Sequence, residues 1–185
     1  LLRPAAAMLD RSNCGGWTPL HLSLLSASPA QNRLASLRLL LASGADAERA
    51  AHGGWCPILV AARQGNADAI GALLLHAAAD RTGGQLARML AARTSEGDTA
   101  LLLAAHAASV ASARLLLAGG AACDARNAAG LSAVQLAVSA ACSAETDTSD
   151  MATAAFCAVI ELLLAAGAPV QGGMRPELGG ACHAP

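Results

Sequence analysis

A chain of 185 residues with a formal charge of −1 is long enough for one ordinary domain and offers no basic face for nucleic acid. Alanine dominates, tyrosine and lysine are absent, and all twelve basic residues are arginine, a bias that suits tight packing of small helices and a GC-rich genome. Leu1-Leu2-Arg3-Pro4 does not resemble a signal peptide, and a start without Met reads as a piece cut from a longer chain.

Residues 1–15 read as the tail of an earlier unit, with Leu1-Leu2 ending a leucine-rich helix. A new unit opens at Gly16-Trp17-Thr18-Pro19-Leu20-His21. The Thr18 hydroxyl can cap a helix, and Pro19 suits the first helical position, where no N–H is missed. Leu20, Leu22, Leu24 and Leu25 mark this first helix, and Ser26 to Asn32, containing Pro29, reads as a loop. Leu34, Leu37, Leu40 and Leu41 line one face of a second helix, which Gly44 stops.

The opening pattern returns three times. Its echoes are Gly54-Trp55-Cys56-Pro57-Ile58-Leu59, Gly97-Asp98-Thr99-Ala100-Leu101-Leu102 and Gly130-Leu131-Ser132-Ala133-Val134-Gln135. The leucine-rich ending returns as Leu73-Leu74-Leu75 before an alanine run, then at Leu115 to Ala121 and at Leu162 to Ala168. Successive starts at Thr18, Cys56, Thr99 and Ser132 lie 38, 43 and 33 residues apart. Self-similarity at such a period signals stacked repeats.

On these residues the chain resembles the ankyrin repeat family, whose unit is a turn plus two helices in about 33 residues. The family's Thr-Pro-Leu-His start is intact only at Thr18 to His21; Pro57 persists, and Ala100 and Ala133 replace the later prolines. The resemblance implies an all-α solenoid of helix-turn-helix units with short hairpin fingers. It implies a partial repeat at 1–15 and repeats at about 16–53, 54–96, 97–129 and 130–170. A Gly/Pro-rich tail at 171–185 is expected to be poorly ordered.

Against this period the first full unit carries about five extra residues around Ser26 to Asn32. The second carries about ten between His76 and Ala92, where Leu86, Met89 and Leu90 have helical spacing. An added turn of helix and an elongated finger are both open there. The fourth carries about a dozen, Cys142 to Thr153, read as a polar surface loop.

No phosphate loop with a following Lys and no Gly-x-Ser-x-Gly elbow occurs. The six cysteines never fall as Cys-x-x-Cys, and no histidine sits beside them at a zinc-ligand interval. Neither metal nor cofactor is expected, and free thiols point to an intracellular protein, cytoplasmic or nuclear. Ala100 to Ala122 and Ala152 to Val170 are long and apolar, but His106, Arg114 and Glu161 interrupt them, so no membrane span is expected.

An enzyme is not expected. The resemblance implies protein–protein recognition through the concave groove and the hairpin tips, by a monomer or a part of a longer chain. The alternative is the targeting or regulatory segment of a larger enzyme, of ubiquitin-ligase adaptor, kinase or palmitoyltransferase type. Carried over by position, the tips are Trp17, Trp55, Asp98 and Leu131, and His21 ties adjacent units. Helix-one ends contribute Arg63, Gln64 and His106, and the fingers contribute Arg49 and Arg126. Trp17 and Trp55 should stand side by side, with Arg63 and Arg49 close by. Trp and Arg dominate interface hot spots, so the patch is centred on Trp55, Arg63 and Arg49.

Overall fold

The computed structural model describes residues 9–26, 29–79, 84–144 and 150–168. Leu1-Leu2, most of the 1–15 tail, Arg81, Glu145, Asp147 and the 171–185 tail lie outside the described residues. Helices are α1 (Pro19–Leu25), α2 (Ala30–Ala42), α3 (Pro57–Arg63), α4 (Ala67–Ala78), α5 (Gly84–Ala91), α6 (Ala100–His106), α7 (Val110–Ala118), α8 (Ala133–Ala144) and α9 (Asp150–Ala165). Among the described residues there is no strand, only an isolated antiparallel bridge between Arg126 and Ser132.

The first helices α1, α3, α6 and α8 pack in chain order against one another, and α2, α4, α7 and α9 do the same alongside. Each first helix also packs on its own second helix, so the chain is a one-directional stack of hairpins. The inner row is the tighter. Pro57 to Ala62 of α3 and Ala100 to Ala105 of α6 are all buried, and the pairs Ala61-Ala62 and Ala104-Ala105 are completely so. A side chain of one carbon is what lets each inner helix touch a neighbour on both sides. Leu20, Leu37, Ile58, Ile70, Leu73, Leu101, Leu116 and Leu163 fill the space between the rows.

Helix ends follow local chemistry. Asn66 accepts from the Ala69 N–H (3.1 Å), Thr99 from Leu102 (3.4 Å), and Ser109 from Ser112 (3.4 Å). Ser132 and Gln135 form a reciprocal box, with Gln135 Oε1 accepting from the Ser132 N–H at 2.9 Å. At the far ends of α2, α7 and α9, the glycines Gly44, Gly120 and Gly167 take positive φ. The residue after each bonds back to Leu40, Leu116 and Leu163, which closes the last turn. The same closure after α3 uses Gly65, but after α6 it uses Ala108 at φ 53°.

Two expectations change, and one open alternative is decided in favour of a helix. Pro29 precedes α2 directly, so Ala30 to Asn32 are helical and the loop is shorter than read. In the second unit Ala77 to Ala79 stand where the other second helices stop at glycine; the added residues include the helix α5, which buries Met89 against the core. Cys142 to Ala144 belong to α8 and Asp150 to Thr153 to α9, so most of that polar stretch extends two helices.

The fingers between units are turns closed by paired backbone bonds. Trp17, Trp55, Asp98 and Leu131 each offer a carbonyl to the residue four before: Asn13, Ala51, Thr94 and Asn127. The side chains of Asn13, Thr94 and Asn127 each accept two N–H groups inside the turn. Each finger donates one N–H to the finger before it: His52 to Gly15 (3.1 Å), Ser95 to Gly53 (2.8 Å) and Ala128 to Glu96 (2.8 Å). That approach leaves no room for a side chain. A Cβ on Gly54 would lie 2.7 Å from the Arg93 carbonyl oxygen, and one on Gly97 2.8 Å from the Ala128 nitrogen.

Two stability predictions follow from backbone geometry and one buried ring. Gly54→Ala should lower stability by about 2 kcal/mol or more, because it meets both positive φ and a neighbouring backbone. Ala108→Gly should raise it by about 1 kcal/mol. Urea unfolding of both variants checks the pair. Burial pushes the His21 imidazole below its ordinary value, partly opposed by its hydrogen bond to the Trp55 carbonyl. The stabilisation is therefore complete above about pH 6.5 and is lost as pH falls through the depressed folded value. The urea midpoint of the wild type should drop on going from pH 7 to pH 5 by more than that of His21→Gln.

Candidate functional site

Two tips present tryptophan, and glycine explains how. In Gly15-Gly16-Trp17 and Gly53-Gly54-Trp55 each indole edge lies over the first glycine of its own motif. A Cβ at Gly15 would meet the ring at 2.7 Å, and one at Gly53 at 3.3 Å. Both indoles are partly buried and pack on the core.

His21 joins the two tips. It is fully buried at the N-terminus of α1. Its Nδ1 accepts from the Thr18 N–H (3.2 Å) and lies 2.8 Å from the Thr18 hydroxyl, which is how Thr18 is used. Since Nδ1 accepts an amide proton, the ring proton sits on Nε2, which donates to the Trp55 carbonyl at 2.9 Å. The Trp17 ring stands edge-on to the same imidazole, with centroids 5.4 Å apart at 86°. Trp17, His21 and the Trp55 backbone therefore form one contact chain across two units.

Trp55 carries the Arg63 guanidinium over its face, Cζ to ring centroid 5.8 Å. Trp17, Leu25, Trp55, Val60, Arg63 and Gln64 line a groove of about 320 Å³. Four of the named site residues, Trp17, Trp55, Arg63 and Gln64, are thus brought together. Arg49 is not with them. It lies on the arm of the finger ahead of the His52–Gly54 turn and lines a separate depression with Asp10, Arg11 and Ser12. Position along the chain places it near Arg63; the structure sets the two in different depressions.

The remaining candidates are spread along the stack. Asp98 holds the next tip, with its N–H on Thr94 Oγ (3.2 Å) and its buried Oδ1 without a hydrogen-bond partner among the described residues. His106 is exposed at the end of α6. Leu131 is partly buried, its N–H on Asn127 Oδ1 at 2.9 Å. Arg126 is structural in part: its Nη1 donates to the Gly130 carbonyl (2.8 Å) and its own carbonyl accepts from Arg93 (2.8 Å). Leu25 and Val60 complete the groove walls. Leu25 is legible in the sequence from the helix-one register, which places it at the position of Arg63, whereas Val60 belongs to neither the tips, the fingers nor the helix-one ends.

Among the described residues no group of three or more His, Cys, Asp or Glu could hold a metal, and no helix is long and apolar enough to cross a membrane.

The hairpin stack with inter-finger ties defines a helical repeat protein. A family profile described as ankyrin repeats (3 copies) matches residues 24–127, more than half the chain. The chain belongs to the ankyrin repeat family. A solved structure, EF0377, described as an ankyrin repeat protein, superposes with a TM-score of 0.68 at 23% identity. The match covers 90% of this chain and 73% of that one, and it bears on fold alone. No curated protein matches significantly. Ankyrin repeats are generally non-catalytic protein–protein interaction modules.

Cys56, between Trp55 and Pro57, is buried, and burial pushes its thiol up to about 11. At pH 8 a maleimide should label the exposed Cys14, Cys142 and Cys157 and leave Cys56 untouched until urea is added, as peptide mass mapping will show.

Proposed function

We propose that this chain is a non-catalytic recognition module that holds a partner protein in the groove between Trp17 and Trp55. The observation that carries the reading is the Trp55–Arg63 stack in an open, largely apolar groove. It presents the two residue types most often found at interface hot spots, already ordered. Asp98 and Leu131 at the later tips, His106 at a helix-one end and Arg126 in a finger would extend the surface along the stack, and Arg49 would act at most from the separate depression. The reading uses the division into repeats at about 16–53, 54–96, 97–129 and 130–170, the last reaching beyond the described residues.

The test is affinity for a partner captured with the wild-type chain. Trp55→Ala should weaken binding by about 2 kcal/mol, whereas Leu75→Ala, at a residue 72% exposed on α4, should change it by less than about 0.5 kcal/mol. Because Trp55 packs on the core, urea unfolding of each variant separates lost contact from lost fold. Equal affinities for folded Trp55→Ala and wild type would sink the assignment.

A further inference from the structure

Arg63 is the charged residue of the groove, and its charge is uncompensated. No carboxylate lines the groove. Among the described residues Arg63 makes no ion pair or hydrogen bond; it only lies over Trp55. Arg88 of α5 and the finger residues Arg93 and Arg126 differ. Arg88 pairs with Glu48 (3.0 Å), Arg93 donates to the Gly97 and Arg126 carbonyls, and Arg126 donates to Gly130. A guanidinium has five donors in a planar fork and fits a carboxylate with two of them. Stacking on Trp55 restricts its rotamers before any ligand arrives, so less entropy is lost when a carboxylate binds. The walls beside it, from Trp17, Leu25, Trp55 and Val60, are apolar and lower the local dielectric around that charge.

Resting on the groove reading above, we infer that the occupant is an extended internal segment of a partner protein carrying a large aliphatic side chain next to Asp or Glu. The aliphatic group sits between the two indoles, Leu25 and Val60, and the neighbouring carboxylate bridges to Arg63. A groove of about 320 Å³ lies at the small end of ligand sites and holds one or two side chains, not the face of a helix.

The test pans random peptides, displayed at an internal site, against the intact chain and its Arg63→Glu variant. Arg63 is exposed at the end of α3, so these substitutions leave the fold intact. Wild type should enrich peptides with Asp or Glu beside Leu, Ile, Val or Met, and Arg63→Glu should enrich Lys or Arg at that place. The wild-type winners, made with both ends blocked, should shift the emission of Trp17 and Trp55, which are the chain's two tryptophans. They should bind Arg63→Gln about five- to tenfold more weakly.

An unchanged selection on Arg63→Glu, or no acidic bias, overturns the assigned chemistry; the groove reading then survives if emission still responds. Winners that leave the emission unchanged and bind Trp55→Phe and Trp55→Ala like wild type overturn both. Failure to enrich any peptide overturns the extended-segment occupant, leaving the partner-affinity comparison to judge the groove. Self-association abolished by Arg63→Glu overturns it in favour of a second copy.

Discussion

The stack depends on the approach of one finger's backbone to the next. At Gly16, Gly54 and Gly97 the following finger passes so near that any Cβ would collide with main-chain atoms. The single N–H···O=C bond donated backward by each finger needs that clearance. Methyl groups at these positions would push the fingers apart, lengthen the bonds and open the gap between the inner helices, whose Ala61-Ala62 and Ala104-Ala105 pairs are completely buried. Tip residues of adjacent units are then held one finger apart, so Trp17 and Trp55 are neighbours by construction. Gly130 shows the converse: nothing among the described residues approaches it.

Coupling between units is uneven. At the third residue of the first helices stand His21, Leu59, Leu102 and Gln135. His21 reaches into the next unit, through Nε2 to the Trp55 carbonyl. Leu59 and Leu102 are buried and replace a directed bond with apolar area, roughly 1.5–3 kcal/mol for a fully buried leucine. Gln135 turns back on Ser132. Ser109 adds one further link between units, its hydroxyl donating to the Gly65 carbonyl at 3.1 Å. The tie that positions the groove is therefore the one with a titratable group in it.

Much of the fold was legible because repeats print their landmarks several times: glycine before the tip, proline or a cap at the helix start, leucines closing at glycine. The tryptophan pair was legible for the same reason, since equal register places equal tips side by side. The Ser132–Gln135 box is also in the sequence, as Ser-x-x-Gln. What escaped was tertiary. Arg49 lines a different depression from Arg63, and no local pattern encodes that separation. Ala108 occupies a left-handed position where alanine is uncommon, so its identity argues against its conformation. Helical spacing of Leu86, Met89 and Leu90 was visible, but their helix is anchored by Met89 in the core and by Arg88 on Glu48, forty residues earlier.

That added helix shows where the architecture stores its measurements. The segment from Cys56 to Thr99 is longer than the one from Thr99 to Ser132, yet the finger bonds flanking both are 2.8 Å long. Pitch is set at the contact between fingers, while the chain length between them is free to vary. Surplus sequence can form an added helix docked on the stack, as α5 does through Met89, and alter the silhouette without altering the contact between fingers. Grafting a foreign loop at this site would accordingly decorate the stack and leave the alignment of the two indoles untouched.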